Sequence, residues 1–155
     1  MGLKRKIISF FFLSMLFGSG LFAQTTIGPY TFYPNPASMA AMGVATVNGA
    51  TPGDGAVIAA FDNDGICSGA ALLIINAGAA YINLPIYGDD SSTPGIDEGI
   101  GAGDNFYLVL YDASLNMTIT YSTPFDCWAN ENGATHPGCG DAWNAEWNFE
   151  GQCGD

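Results

Sequence analysis

Short apolar stretches alternate with turn residues through the whole chain after residue 24. Gly, Pro, Asn and Asp interrupt the sequence too often for a helical period to persist, which is typical of strands joined by tight turns. Residues 106–111 are apolar at both alternating sets of positions, as expected of a central strand. The pattern predicts an all-β fold, an antiparallel β-sandwich of about eight strands that is immunoglobulin-like or jelly-roll-like. The predicted strands are 31–33, 41–47, 56–61, 66–75, 80–87, 106–111, 117–121 and 142–149.

The first 23 residues have the three parts of a cleavable signal peptide. Lys4, Arg5 and Lys6 precede an apolar run, and a Gly-Ser-Gly break leads to a small residue, Ala23. A membrane-spanning helix needs about 20 apolar residues, and this run is interrupted too early. We therefore expect export through a cleaved signal peptide to the cell surface or the medium, with no membrane insertion afterwards.

Cleavage after residue 23 leaves a strongly acidic protein. All three basic residues lie in the predicted signal peptide, so the remaining 132 of 155 residues hold all 15 Asp and Glu, one His and no Lys or Arg. With histidine neutral, the 15 carboxylates meet no basic side chain and the formal charge is −15. Nucleic-acid binding needs basic side chains that neutralise phosphates, so we expect no nucleic-acid partner. Bound cations, calcium above all, would relieve the repulsion between carboxylates.

Length and cysteine content indicate one disulfide-bonded domain. We divide the chain into a signal peptide (1–23), a β-sandwich domain (24–126) and a Cys- and Trp-rich C-terminal segment (127–155) that packs on or extends the same domain. The exported chain has four cysteines, which predicts two disulfides with three alternative pairings. One alternative joins Cys127 to Cys139 across a loop rich in Gly, Asn and Pro, and leaves Cys67 to pair with Cys153.

An acidic loop, residues 88–104, carries the predicted metal site. Five carboxylates lie within its 17 residues, next to serine and threonine hydroxyls. Calcium takes about six to eight oxygen ligands from flexible loops of this kind, although the spacing is not that of an EF-hand. The alternative is a polar loop whose Asp side chains accept hydrogen bonds from nearby backbone amides. The predicted ligands are Asp89, Asp90, Asp97, Glu98 and Asp104, with Asp62 and Asp64 as a weaker second candidate.

The middle of the chain resembles a known family of β-domains. Its motif elements are Gly53-Asp54, Val57-Ile58-Ala59-Ala60-Phe61, Cys67-Ser68-Gly69, Gly88-Asp89-Asp90-Ser91-Ser92-Thr93 and the aromatic strand 106–111. This pattern is similar to a repeat-type β-domain of secreted and cell-surface proteins of Bacteroidetes, often found with type IX secretion. The similarity covers residues 32–122, and its Gly-Asp-Asp-x-x-Thr element is the most specific part. It implies a non-catalytic surface module with an adhesive or scaffolding role.

Two other functions stay open as alternatives. Trp128, Trp143 and Trp147 all lie in the C-terminal segment near Asn and Asp, so a carbohydrate-binding domain could stack sugars on them. The opposing interpretation is that these tryptophans cover the core. A self-assembling extracellular subunit is the third hypothesis, because residues 70–87 are rich in Ala and Gly and apolar on both faces. The expected partner is therefore an extracellular glycan, a protein or a second copy of the chain.

Catalytic motifs are missing from the sequence. The exported chain has one histidine, His136, in a turn-like setting, and no lysine for Schiff-base chemistry. It has no Gly-x-Ser-x-Gly elbow, no phosphate-binding glycine loop and no two-histidine zinc motif. We expect that the protein is not an enzyme.

Overall fold

The computed structural model describes residues 23–90 and 92–151. Apart from Ala23, the predicted signal peptide lies outside the described residues. Among those residues, no helix is long and apolar enough to cross a membrane. All regular elements of the described ranges are strands: β1 (Thr25–Ile27), β2 (Tyr30–Phe32), β3 (Ser38–Val47), β4 (Val57–Asp62), β5 (Cys67–Leu72), β6 (Ile74–Asn76), β7 (Ala79–Tyr87), β8 (Phe106–Asp112), β9 (Met117–Thr120) and β10 (Asp141–Phe149).

Eight of these strands form two four-stranded sheets, which confirms the predicted β-sandwich. One sheet has the order β10-β3-β7-β6 and the other β5-β4-β8-β9, while β1 and β2 form a separate hairpin. The strand pairs of both sheets are antiparallel except one, because β10 runs parallel to β3. Parallel neighbours require a long crossover connection, and residues 121–140 carry the chain from β9 to the start of β10. The C-terminal segment thus extends the same sandwich.

The main core lies between the two sheets. β3 alternates strictly between buried and half-buried residues, as does β8, so each sends one set of side chains inward. Ile82 and Leu84 of one sheet meet Ile58, Leu108 and Leu110 of the other in a single buried cluster. Each such side chain contributes roughly 1.5 to 3 kcal/mol when removed from water. This period-two pattern is the physical basis of the strand predictions.

A smaller cluster covers the outer face of the second sheet. The β1–β2 hairpin packs Phe32 against Val57, Ala59 and Ala70. β4 is therefore buried on both faces over most of its length. This hairpin brings the N-terminal aromatic residues to the sheet end where the acidic side chains collect.

One disulfide fastens the long crossover loop. Cys127 and Cys139 are joined, with their Cα atoms 5.5 Å apart, and Cys139 is buried. The loop also bonds to β3, where Ala40 N–H donates to the carbonyl of Ala134 at 2.9 Å and Met42 N–H to that of Gly140 at 2.7 Å. A disulfide is compatible with an oxidising, extracellular environment.

The second predicted disulfide is not formed at Cys67, which is a buried free thiol. Cys67 begins β5, at one edge of its sheet, whereas Gly151 approaches Met117 of β9 at the opposite edge. Cys153 itself lies outside the described residues.

Candidate functional site

Five aspartates from two distant parts of the chain line one small cavity, which we call the acidic pocket. Its volume is about 140 Å³, and Asn63, Gly99 and Gly101 complete its wall. The β4–β5 turn and the acidic loop meet here, so aspartates from both candidate metal sites of the sequence line one cavity. The aspartates that line it are Asp62, Asp64, Asp89, Asp97 and Asp104.

The β4–β5 turn holds Asp62 in a fixed orientation. Asp62 is 7% exposed, and its Oδ1 accepts hydrogen bonds from the N–H groups of Asp64 at 2.9 Å and Ile66 at 2.8 Å. Gly65 has a φ of 84°, a left-handed conformation that glycine adopts without strain. The turn thereby fixes one carboxylate at the floor of the acidic pocket and places Asp64 at its rim.

The acidic loop is anchored where it leaves β7 and where it returns. Asp89 N–H donates to the Ile100 carbonyl at 3.0 Å, and Ile100 N–H donates to the Tyr87 carbonyl at 3.1 Å. A β-carbon at Gly99 would overlap the Tyr87 carbonyl oxygen, so only glycine permits this close approach. Ile100 is fully buried. Both ends of the loop are therefore held against the sandwich while Asp89 and Asp97 face the cavity that they line.

Asp90 and Glu98, two of the predicted ligands, do not line the acidic pocket. Asp90 Oδ1 accepts a hydrogen bond from Ser92 N–H at 2.8 Å, as an Asx-turn does. Glu98 is 2% exposed, and its Oε2 accepts a hydrogen bond from Thr93 Oγ1 at 2.7 Å. For Asp90 the structure corresponds to the alternative interpretation, in which an Asp side chain accepts a hydrogen bond from a backbone amide, whereas Glu98 is bonded to a side-chain hydroxyl.

The carboxylates of the acidic pocket repel one another. Partial burial is the largest cause that raises the pKa of Asp97, followed by the negative charge of Asp62. Asp89 and Asp64 raise it further, while a hydrogen bond from the backbone of Gly99 lowers it. Within residues 23–90 and 92–151, no three acidic, histidine or cysteine side chains are arranged so that they could hold a metal ion together.

Two of the three predicted carbohydrate-binding tryptophans, Trp128 and Trp147, have described side chains, and neither lies on an open face. Trp147 is 7% exposed and packs edge-on against Phe125 in the core, with ring centroids 5.7 Å apart. Trp128 is half-buried and lies directly on Gly88, where a β-carbon would overlap its ring. The side chain of Trp143 lies outside the described residues. Trp147 is therefore unavailable for sugar stacking.

The only histidine of the chain sits in the crossover loop. His136 Nδ1 lies 2.7 Å from Glu131 Oε1, and both side chains are about one-third exposed, at 33% and 37%. The contact joins residues only five positions apart. The contact links two parts of the crossover loop, and neither residue lines the acidic pocket.

An aromatic groove lies beside the acidic pocket, and sequence reasoning missed it. The groove has a volume of about 340 Å³ and shares Asp97 with the acidic pocket. Tyr30, Tyr33 and Phe61 provide its aromatic walls, and Cys67 lies at its base. Burial raises the pKa of the Cys67 thiol. Only the packing of the β1–β2 hairpin on the sheet brings these residues together, so no local spacing could have indicated them.

Two exposed apolar side chains lie at the free edges of the sheets. Leu72 is 58% exposed and Ile74 is 53% exposed, on β5 and β6, which are edge strands of the two different sheets. Exposed edge strands can pair with another chain. The self-assembly hypothesis therefore stays an alternative.

The chain matches no protein-family model, no curated protein and no solved structure. The resemblance to the Bacteroidetes β-domain therefore rests on the sequence motif alone. Functional conclusions for this protein must come from its own residues and their geometry.

Proposed function

We propose that the protein is a non-catalytic secreted or cell-surface β-sandwich module with an adhesive or scaffolding role, stabilised by calcium at the acidic pocket. The observation that carries the proposal is the meeting of five aspartates from two loops at one cavity. No lysine or arginine follows residue 6, so a bound cation is the available source of positive charge.

The donor chemistry of the acidic pocket suits calcium. Asp62, Asp64, Asp89, Asp97 and Asp104 line it, and calcium binds carboxylates, carbonyls and water in variable geometry. Magnesium requires a near-ideal octahedron of smaller radius, which two independent loops supply less readily. The adjoining backbone carbonyls and water would complete the shell.

Calcium binding requires the two loops to approach further, because no three of the described carboxylates already form a metal-binding group. The acidic loop can supply that movement between its anchored ends. Its sequence between Asp89 and Asp97 consists largely of Ser, Thr, Pro and Gly, and Ile96 is 43% exposed. Asp62, held by two backbone amides, would be the fixed ligand around which the loop closes.

The proposal predicts that calcium stabilises the folded protein. Extracellular calcium modules have dissociation constants of about 0.1 to 1 mM, so about 10 mM calcium would add about 1.4 to 2.7 kcal/mol to the free energy of unfolding. For a domain of this size the expected rise in Tm is roughly 5 to 10 °C. The measurement is thermal unfolding of the exported, oxidised protein in calcium, in magnesium and in chelator at equal ionic strength.

Adjacent aspartates provide a matched control. Asp89→Asn removes a carboxylate that lines the acidic pocket, whereas Asp90→Asn alters its neighbour, which does not line it. Asparagine at position 90 can still accept the hydrogen bond from Ser92. We expect Asp89→Asn to abolish most of the calcium-induced rise in Tm and Asp90→Asn to retain it. Equal Tm values in calcium and chelator for the unaltered protein would refute the calcium site.

A further inference from the structure

The aromatic groove has the shape of a corner. The rings of Tyr30 and Phe61 are nearly perpendicular, at 78°, with centroids 5.4 Å apart. Tyr33 adds a third aromatic wall, and its hydroxyl accepts a hydrogen bond from Gln24 Nε2 at 3.2 Å. All three aromatic residues are half-buried. Rings at right angles enclose a compact group more closely than a single flat platform would.

The one charged residue that lines the groove is acidic. Aromatic faces carry negative partial charge, and Asp97 stands where the groove meets the acidic pocket. The exported sequence contributes no lysine or arginine that could enter the groove from this chain. Complementarity of charge therefore requires a positive group from a partner.

We propose that the aromatic groove binds a lysine or arginine side chain from a basic segment of a partner protein. The cationic group would lie in the corner that the rings of Tyr30 and Phe61 form, beside Tyr33 and near Asp97. Cation–π attraction reaches to about 6 Å from a ring centroid, and a carboxylate adds a charge-assisted hydrogen bond.

This inference goes beyond the proposed calcium site and does not depend on it. The two sites share Asp97, so calcium would compete with a cationic side chain for that carboxylate. Binding of a basic peptide is therefore measured in chelator, where the calcium question does not enter. The calcium test uses Asp89 and Asp90, which do not line the groove, so the two proposals fail independently.

The experiment is isothermal titration of the exported protein with a tetralysine peptide and with the same peptide acetylated on every side-chain amine. Acetylation keeps the methylenes and removes the charge, so we expect binding only to the charged form. Tyr33→Leu keeps an apolar wall without the ring face, and Asp97→Asn removes the charge. Each should weaken binding roughly three- to tenfold.

Matched variants separate the groove from a general attraction to an acidic surface. Tyr81→Leu changes a half-buried tyrosine on the other sheet, and Asp54→Asn removes an exposed charge that does not line the groove. Both should bind the peptide as the unaltered protein does. Equal binding by all four variants, or equal binding of the acetylated peptide, would overturn the proposal. Thermal unfolding of each variant establishes that it is folded.

Discussion

Breaking the disulfide between Cys127 and Cys139 should lower stability by an amount that the loop length sets. The bond closes a loop with a sequence separation of 12 residues, and the crossover loop that it fastens delivers the chain to β10. In the native state this loop is also bonded to β3 through backbone groups of Ala134 and Gly140. Reduction therefore acts mainly on the unfolded chain, which regains the freedom that the cross-link removed.

The magnitude follows from the entropy of loop closure. For a separation of 12 residues, the cross-link removes about 9.5 cal/mol/K, equivalent to about 2.8 kcal/mol at 25 °C. About 130 folded residues give an unfolding entropy of roughly 270 cal/mol/K near the transition, at about 2.1 cal/mol/K per residue. The expected fall in Tm on reduction is therefore about 10 °C.

The assay is denaturant and thermal unfolding of the oxidised and reduced protein, both in chelator so that no cation contributes. Reduction is preferable to mutation because Cys139 is 1% exposed, and Cys139→Ala would also leave a cavity. Cys67 is a free thiol, so reduction does not change it and it contributes nothing to the difference between the two forms. A Cys67→Ser control, measured in both redox states, should show the same difference between them.

A small effect would contradict this reasoning. If reduction changes the free energy of unfolding by less than about 1 kcal/mol, the loop is ordered without the cross-link or the unfolded chain keeps it closed. A loss above about 5 kcal/mol would mean that the native crossover loop itself collapses when the bond is cut. Either result would show that the entropy of the unfolded chain does not account for the stability that the disulfide provides.

Two further predictions concern the buried carboxylate of β8 and the glycine that anchors the acidic loop. Burial alone would raise the pKa of Asp112, but hydrogen bonds from the Ser114 hydroxyl and backbone amides including that of Gly53 outweigh it, so its pKa is lowered. A depressed pKa contributes stability that is present above the unfolded-state pKa and is lost as pH falls through the folded-state pKa. Asp112→Asn should therefore make the free energy of unfolding fall less steeply with decreasing pH, and the substitution itself should cost about 1 to 3 kcal/mol. An unchanged acid dependence of the free energy of unfolding would exclude this role. Gly99→Ala would push a β-carbon into the Tyr87 carbonyl, so we expect the free energy of unfolding to fall by about 1 to 3 kcal/mol. The calcium-induced rise in Tm should also disappear. A variant with unchanged stability and an unchanged calcium response would show that the loop is not anchored there.

Local sequence predicted most of the strands but not their assignment to sheets. Period-two alternation identified the inner strands, because a strand that borders the core must bury every second residue. The sequence predicted one strand over 66–75, whereas the structure divides it into β5 and β6, which belong to different sheets. Leu73 marks the crossing, since its N–H donates to the Ala56 carbonyl at 2.9 Å. No Gly or Pro signals that change of sheet; packing alone decides it.

The acidic pocket likewise combines features that local sequence predicts with features that only the packing decides. The carboxylates of the β4–β5 turn and of the acidic loop were visible in the sequence, because aspartate density is a local property. Their meeting was not, because it depends on which strand ends share one end of the sandwich. Burial of Glu98 beneath Thr93, by contrast, depends on the path of the loop.

The all-β class and the lack of basic residues after residue 6 could both be read from residue types and their local period. Tertiary structure decided the parallel pairing of β10 with β3, the isolation of Cys67, the burial of Trp147 and the joining of the aromatic groove to the acidic pocket. These features depend on contacts between residues far apart in the chain. Such contacts form only when the two sheets close on one core, because each sheet can then bury its apolar face.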